Sequence, residues 1–230
     1  MTISARRRAL PIVAILILCA PGALALDFRG ADDSGNLWDI CKRRSSKPQV
    51  IINGCASAIK FGLGTSTSST SVEYTGAALY RMAVAYRRNG NADLAAKHFA
   101  VAVQALDQAI TAKPNDANIF QGRCWIKAVQ NTDIAGAIAD CDRSLKMDAG
   151  NRVTLDYHAF ALYRSGRYAE ALTAYNETLQ VKHDNADALY MRGIVRKKLG
   201  DDAGANADMA LAIQADSDIA NIYAGYGIGL

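Results

Sequence analysis

The stretch NRVTLDYHAFALYRSGRYAEALTAYNETLQVKHDNADALYMRGIVRKKLGDDAGANADMALAIQA, residues 151–215, decides the fold. Its two halves overlay. Leu155, Ala159, Leu162, Gly166, Ala171, Tyr175 and Thr178 are followed, 34 positions later, by Leu189, Gly193, Arg196, Gly200, Ala205, Met209 and Ala212. In the first half, Leu155, Ala159 and Leu162 recur at helical spacing and make one apolar stripe. Gly166, between Arg164 and Arg167, marks a helix end and a tight turn. A second stripe runs Tyr168, Ala171, Leu172, Tyr175, Leu179, and the small residues Ala159 and Ala171 let the two helices approach closely. Neither helix can bury its stripe alone. Neighbouring hairpins must therefore stack into an all-α array of mostly local contacts, with a concave surface suited to binding.

A helix–glycine turn–helix unit repeating every 34 residues resembles the tetratricopeptide repeat family. That resemblance implies a right-handed solenoid of antiparallel hairpins. Upstream, Asp116–Gln130 and a helix through Ile134, Ala137, Ile138, Cys141 and Leu145 continue the array, with Phe120, Arg123 and Cys124 in register with Leu189, Arg192 and Gly193. Their turn, Asn131-Thr132, is one residue longer and lacks the glycine. Before it come Tyr74–Arg88, with Leu79, Ala83 and Tyr86 inward, the turn Asn89-Gly90-Asn91, and a helix Ala92–Ala112 about two turns longer than a standard repeat allows. The extra length predicts a helix that protrudes towards a partner or covers the region of residues 62–71. Residues 37–61 read as a degenerate first repeat: a short helix Leu37–Arg44, then one opened by Pro48 and carrying Ile52, Cys55, Ala58 and Ile59 at the spacing of Ile138, Cys141, Ser144 and Leu145. Residues 62–73 read as a Gly/Ser/Thr linker, 74–216 as four repeats, and 217–230 as a C-terminal cap with a short helix Ser217–Tyr226.

The chain opens with Arg6, Arg7 and Arg8, an apolar run Ala9–Ala20, the breakers Pro21 and Gly22, and Ala23-Leu24-Ala25. This is the pattern of a signal peptide, residues 1–25, cleaved after Ala25, which predicts a periplasmic or secreted protein with residues 26–36 as a flexible start. A retained anchor is the alternative, but the run falls short of the roughly 20 residues a spanning helix needs. Leu18 stands before Cys19 where a lipoprotein signal carries a small residue, so no lipid anchor is expected. Residues 1–25 hold three of the 26 basic residues and none of the 22 acidic ones, so the rest of the chain is close to neutral and gives no argument for nucleic acid.

Beyond Cys19 stand Cys41, Cys55, Cys124 and Cys141. An even number in an exported chain suggests disulfides, with three connectivities open; small buried thiols are the alternative. Cys124 lies where the helices of a repeat come closest and Cys141 lies on the paired helix, so a bond there would staple the hairpin, and Cys41–Cys55 would do the same for the first one. Similarity to secreted bacterial tetratricopeptide proteins, carried by Cys124-Trp125, Asp140-Cys141 and the N-terminal cysteine pair, strengthens that local pairing. No Cys-x-x-C occurs, and the three histidines are far apart, so neither a redox motif, a zinc site nor a cofactor is expected.

In the family the first helices of successive repeats line the concave face. The resemblance places Tyr80, Val84, Arg87, Arg88, Gln121, Trp125, Phe160, Tyr163, Arg164, Tyr190, Ile194, Lys197 and Lys198 there, with Asp156. The expected groove has an aromatic and apolar floor and a basic edge, suited to a peptide with apolar anchors and acidic flanks. Trp125 is the expected hot spot; packing of Trp125 and Phe160 between repeats is the alternative. The family's carboxylate clamp for chaperone tails is absent, its places being held by Tyr80, Val84, Arg123, Val153 and Tyr157. The leading expectation is a non-enzymatic adaptor or scaffold. Self-assembly through the long helix or a solenoid end is the second. An enzyme built on His98, His158 or His183 comes last, since no Gly-x-Ser-x-Gly, His-Glu-x-x-His or phosphate-loop motif occurs.

Overall fold

The computed structural model describes Cys41, residues 47–59 and residues 69–229, with side chains from residue 75 onward in the last of these. The expected signal peptide, flexible start, most of the short helix Leu37–Arg44 and residues 60–68 of the expected linker lie outside the described residues. Within them the chain is all-α. Helix α1 spans Pro48–Ala58, α2 Ser69–Arg88, α3 Ala92–Ala112, α4 Ala117–Gln130, α5 Ile134–Met147, α6 Arg152–Arg164, α7 Tyr168–Val181, α8 Ala186–Lys198, α9 Asp202–Ala215 and α10 Ile219–Gly225.

Helices α2–α3, α4–α5, α6–α7 and α8–α9 are four antiparallel hairpins, and each second helix also packs on the first helix of the next hairpin. Local chemistry fixes the starts. The side chains of Asn91, Asp116, Asp133, Asn151, Asn185 and Asp201 accept from backbone N–H groups in the first turns of α3, α4, α5, α6, α8 and α9. Each such cap contributes about 1 kcal/mol. Three of the turns pass through a glycine at positive φ: Gly90, Gly166 and Gly200. The fourth does without: Asn131 (φ 60°) closes α4 in the left-handed region and Asp133 (φ 46°) opens α5. Asn and Asp are the side-chain-bearing residues that best tolerate this conformation.

Two sequence expectations change here. Helix α2 begins at Ser69, five residues before the expected Tyr74, so residues 69–73 are helical rather than linker. The length of α3 has the same cause: α2 and α3 are a matched long pair of 20 and 21 residues. A Cβ on Gly76 would stand 3.3 Å from Leu106 Cγ, in the second half of α3. The extra turns of α3 are therefore spent against the start of α2 and do not protrude.

The hairpins are held at three kinds of contact. At the closest approach stand Ala83, Cys124, Ala159 and Gly193, all fully buried or nearly so. Cys124 and Cys141 are bonded across α4–α5, with Cα atoms 5.4 Å apart, and Cys41 is bonded to Cys55 of α1, with Cα atoms 4.6 Å apart. Ser144 Oγ on α5 donates to the Ala117 carbonyl of α4 within the hairpin (2.9 Å) and lies 3.2 Å from Thr154 Oγ1 on α6 of the next one. Within α4–α5, Arg123 grips Asp140 through both Nε (2.8 Å) and Nη2 (2.5 Å) and also reaches Asp107 of α3. The same fork recurs in α8–α9, where Arg192 holds Asp208 at 2.8 and 2.7 Å and Arg196 adds a bond of 3.0 Å. Asp140 and Asp208 are buried, so these forks complete the core. Sequence analysis aligned Arg123 with Arg192 without seeing their partners. Helix α1 packs on α2 through a separate small cluster of Ile51, Ile52, Ala78, Met82 and Ala85.

Two outcomes follow. A Cβ on Gly193 would lie 3.0 Å from the Ala205 carbonyl and 2.9 Å from Met209 Cγ. Gly193→Val should therefore destabilise the chain by about 1–3 kcal/mol, measured by denaturant unfolding. Asp208→Ala leaves Arg192 and Arg196 without their buried acceptor and should cost about 3–5 kcal/mol in the same assay.

Candidate functional site

The first helices α2, α4, α6 and α8 carry aromatic side chains that face one another across the array. What sequence analysis did not anticipate is their cover. Helix α10 packs against α9 and α8 as a cap would, but also against α2, at the far end of the array. It lies across the groove and ties the last hairpin to the first.

Trp125 is the centre of this arrangement. Its ring stacks on Tyr157 (4.4 Å between centroids, 20°), meets Phe160 at 5.1 Å and meets Tyr226 edge-on at 5.3 Å. Its Nε1 donates to the Tyr80 hydroxyl (2.6 Å), which in turn lies 3.5 Å from the Tyr226 hydroxyl. From α10, Tyr223 stacks on Tyr190 (5.2 Å) and donates to Asp187 Oδ1 (3.2 Å). Arg164 donates to the Tyr226 carbonyl, with its guanidinium 5.1 Å over Phe160. Arg88 faces Asp218 at 3.9 Å, and its side chain runs alongside Gly225 together with Val84.

The expected groove residues thus divide. Tyr80, Val84, Arg88, Trp125, Phe160, Arg164 and Tyr190 meet under or around α10. Ile194 is buried with them in the main core. Arg87 turns instead to the Val129 carbonyl (3.1 Å) and the Phe99 ring, and Gln121 bonds Asn151, so both bridge neighbouring hairpins. Tyr163 packs on Phe160 and Tyr168. Lys197 and Lys198 are exposed at the end of α8. Of the expected basic edge, Arg88 and Arg164 are engaged by the C-terminal segment. Tyr223 and Tyr226 went unrecognised as groove residues, although Ile219, Ile222, Tyr223 and Tyr226 recur at helical spacing, a stripe too apolar for a helix that only caps an end.

Between the concave floor and α10 lies a cavity of about 450 Å³, reached by Tyr80, Trp125, Asp156, Tyr157, Tyr175, Asp187 and Tyr223 among others. Burial is the main reason that the Asp156 carboxyl titrates at about 6; the nearby charge of Asp187 acts in the same sense, while a 2.8 Å bond from Asn185 Nδ2 opposes it. Burial also pushes the hydroxyls of Tyr80, Tyr157, Tyr175 and Tyr223 upward, so they stay protonated. The histidines do not converge: His98 bonds the Leu94 carbonyl on α3, His158 faces Asp142, and His183 lies in the turn after α7. Among the described residues no group of His, Cys, Asp or Glu could hold a metal, and no helix is long and apolar enough to cross a membrane.

Four helix hairpins of this length, closed by glycine or Asx turns and stacked in register, define an all-α repeat scaffold of the kind that holds other proteins. The chain contains tetratricopeptide repeats. Sequence models described as tetratricopeptide repeat and TPR repeat match residues 77–112 and 161–200. A curated relative, the small glutamine-rich tetratricopeptide repeat-containing protein 2 of Mycosarcoma maydis, is 29% identical over 134 residues, 57% of this chain, and the match spans 37% of the relative's length. A tetratricopeptide repeat protein from Parabacteroides merdae has the same fold, with a TM-score of 0.50, 15% identity and 78% of each chain covered. A structure of MamA aligns at a TM-score of 0.46 and 14% identity, over 76% of this chain and 91% of that one.

Asp156 gives a pH-dependent outcome. Its folded-state value of about 6 lies above the unfolded carboxyl at 3.8, so its ionisation lowers stability as pH rises between these values. Asp187, Arg152, Tyr157, Tyr175 and Tyr223 are the ionisable groups around it. Asp156→Asn should raise stability at pH 7.5 by up to about 3 kcal/mol and leave it unchanged at pH 4, measured by urea unfolding.

Proposed function

We propose that this chain is a non-enzymatic adaptor or scaffold of the cell envelope that holds a peptide segment of a partner protein on its concave face. The observation that carries this reading is the occupant already there. An amphipathic segment with apolar anchors at helical spacing, Ile219, Ile222, Tyr223 and Tyr226, is seated on the aromatic floor. It also satisfies the basic edge, through Asp218 on Arg88 and the Tyr226 carbonyl on Arg164. A partner helix with the same pattern would compete for the same contacts, in the helix-in-groove manner. Export is supported by the arginine run, the apolar stretch and Ala23-Leu24-Ala25, and by two bonded cysteine pairs, which persist in oxidising compartments.

A chain ending at Asp216 should capture a synthetic peptide of residues 217–230 in trans with a Kd of about micromolar order, read by fluorescence anisotropy. Trp125→Ala should abolish that capture. In the envelope, photo-crosslinkers at Val84 and Tyr190 should give one dominant partner adduct that increases on truncation, while Lys97 on the outer face of α3 gives none. Peptide capture undiminished by Trp125→Ala, or equal adducts from Lys97, would remove the groove from the function. Mature protein beginning at Leu26 is the expected product of export, checked by intact mass.

A further inference from the structure

The contacts that hold α10 leave part of the cavity chemistry unused. Tyr175, only 2% exposed, lines the cavity with a buried hydroxyl that has no hydrogen-bond partner. Asp156 Oδ1 is also buried without a hydrogen-bond partner: its Oδ2 is taken by Asn185, and the nearby Thr178 hydroxyl donates to the Ala174 carbonyl. Proteins rarely leave such groups unpaired, because each loses its water without regaining a bond. Both act electrostatically on each other and on Asp187 and Tyr223, so α6, α7, α8 and α10 converge there. Trp125, Tyr157 and Phe160 give part of the remaining wall an aromatic surface, beside Arg81, Asn118, Gln121 and the aliphatic Leu106 and Ile126.

The chemistry selects a ligand class. An orphaned carboxylate oxygen with a second carboxylate close by rejects anions and asks for a donor that carries positive charge. Aromatic rings attract a cation through their faces and cover an apolar body. A hard metal ion would need several oxygen ligands in one shell, and two carboxylates on different helices among rings do not supply them. The cationic side chain on the wall, Arg81 of α2, acts on Tyr80 and Tyr157, whereas the charge acting on Asp156 from the cavity is that of Asp187. A volume of about 450 Å³ falls in the range of small-molecule sites.

We propose that the cavity beneath α10 binds a small protonated amine. Its N–H group donates to Asp156 Oδ1 beside the Tyr175 hydroxyl, and its hydrocarbon body lies against Trp125, Tyr157 and Phe160. This site needs α10 in place, whereas peptide capture needs it displaced. The amine therefore opposes capture, but its binding is independent of whether any partner peptide exists.

The test uses the full chain with Trp38→Phe, which leaves Trp125 as the reporter. Isopentylammonium chloride is titrated against isopentanol, its neutral counterpart, with tryptophan fluorescence as the readout. The ammonium should saturate at or below about 1 mM and bind roughly tenfold or more tightly than the alcohol. Asp156→Asn should weaken it by a similar factor, although that variant is no less stable, and binding should fade as pH drops below 6. Tyr223→Ala, which opens the roof, should weaken it as well. Equal response to the alcohol, full affinity in Asp156→Asn, or no saturation by about 50 mM would overturn the site. A capped tripeptide with a central lysine carries the same ammonium on a backbone the roof excludes; binding it as tightly would overturn the small-molecule assignment.

Discussion

The packing of one indole carries much of this molecule. Trp125 sits on the second of four first helices, and its neighbours come from the helices before and after it and from α10: Tyr80, Tyr157, Phe160 and Tyr226. Most contacts in a stacked array join adjacent repeats. The Trp125 cluster joins positions up to 146 residues apart, through the Tyr80 and Tyr226 hydroxyls. Its donor is satisfied by Tyr80, so the half-buried ring carries no unpaired polar atom. Removing the indole would open space among four aromatic partners and unseat α10 from the floor.

Much of the fold was legible in the sequence because its signals are local. The 34-residue period, the apolar stripes and the glycine turns are short-range features, and the hairpins follow them closely. The pairing of Cys124 with Cys141 was legible for the same reason, since the repeat register puts both at the closest approach of two helices. The start of α2 was not, because Ser69–Ser71 looks like linker by composition yet is helical. The Arg–Asp forks were invisible to a reading of apolar stripes, which treats an aspartate on a second helix as surface.

The site was half legible for a related reason. Repeat register placed Trp125, Phe160, Tyr190 and Arg164 on one face, and they are together on it. Register says nothing about a segment outside the repeats, and so Tyr223 and Tyr226 were assigned to an end cap instead of the groove. The alternatives weighed for Trp125, an exposed anchor or a packed core residue, are both present in the structure: the ring is packed, and its cover is the chain's own helix. The carboxylate of Asp156 was placed in the groove by spacing, but its burial with Tyr175 and Asp187 depends on how four helices converge.

The bridge from α8 to α2 also bears on the order of folding. An open array can grow outward from any hairpin, since each needs only its neighbour. Here the aromatic floor is completed only when residues 219–226 return to helices laid down more than a hundred residues earlier. That closure carries the largest loop entropy of any contact described and belongs to the final stage of assembly. Until it happens, the hairpins can be formed while Trp125 and Phe160 still face water.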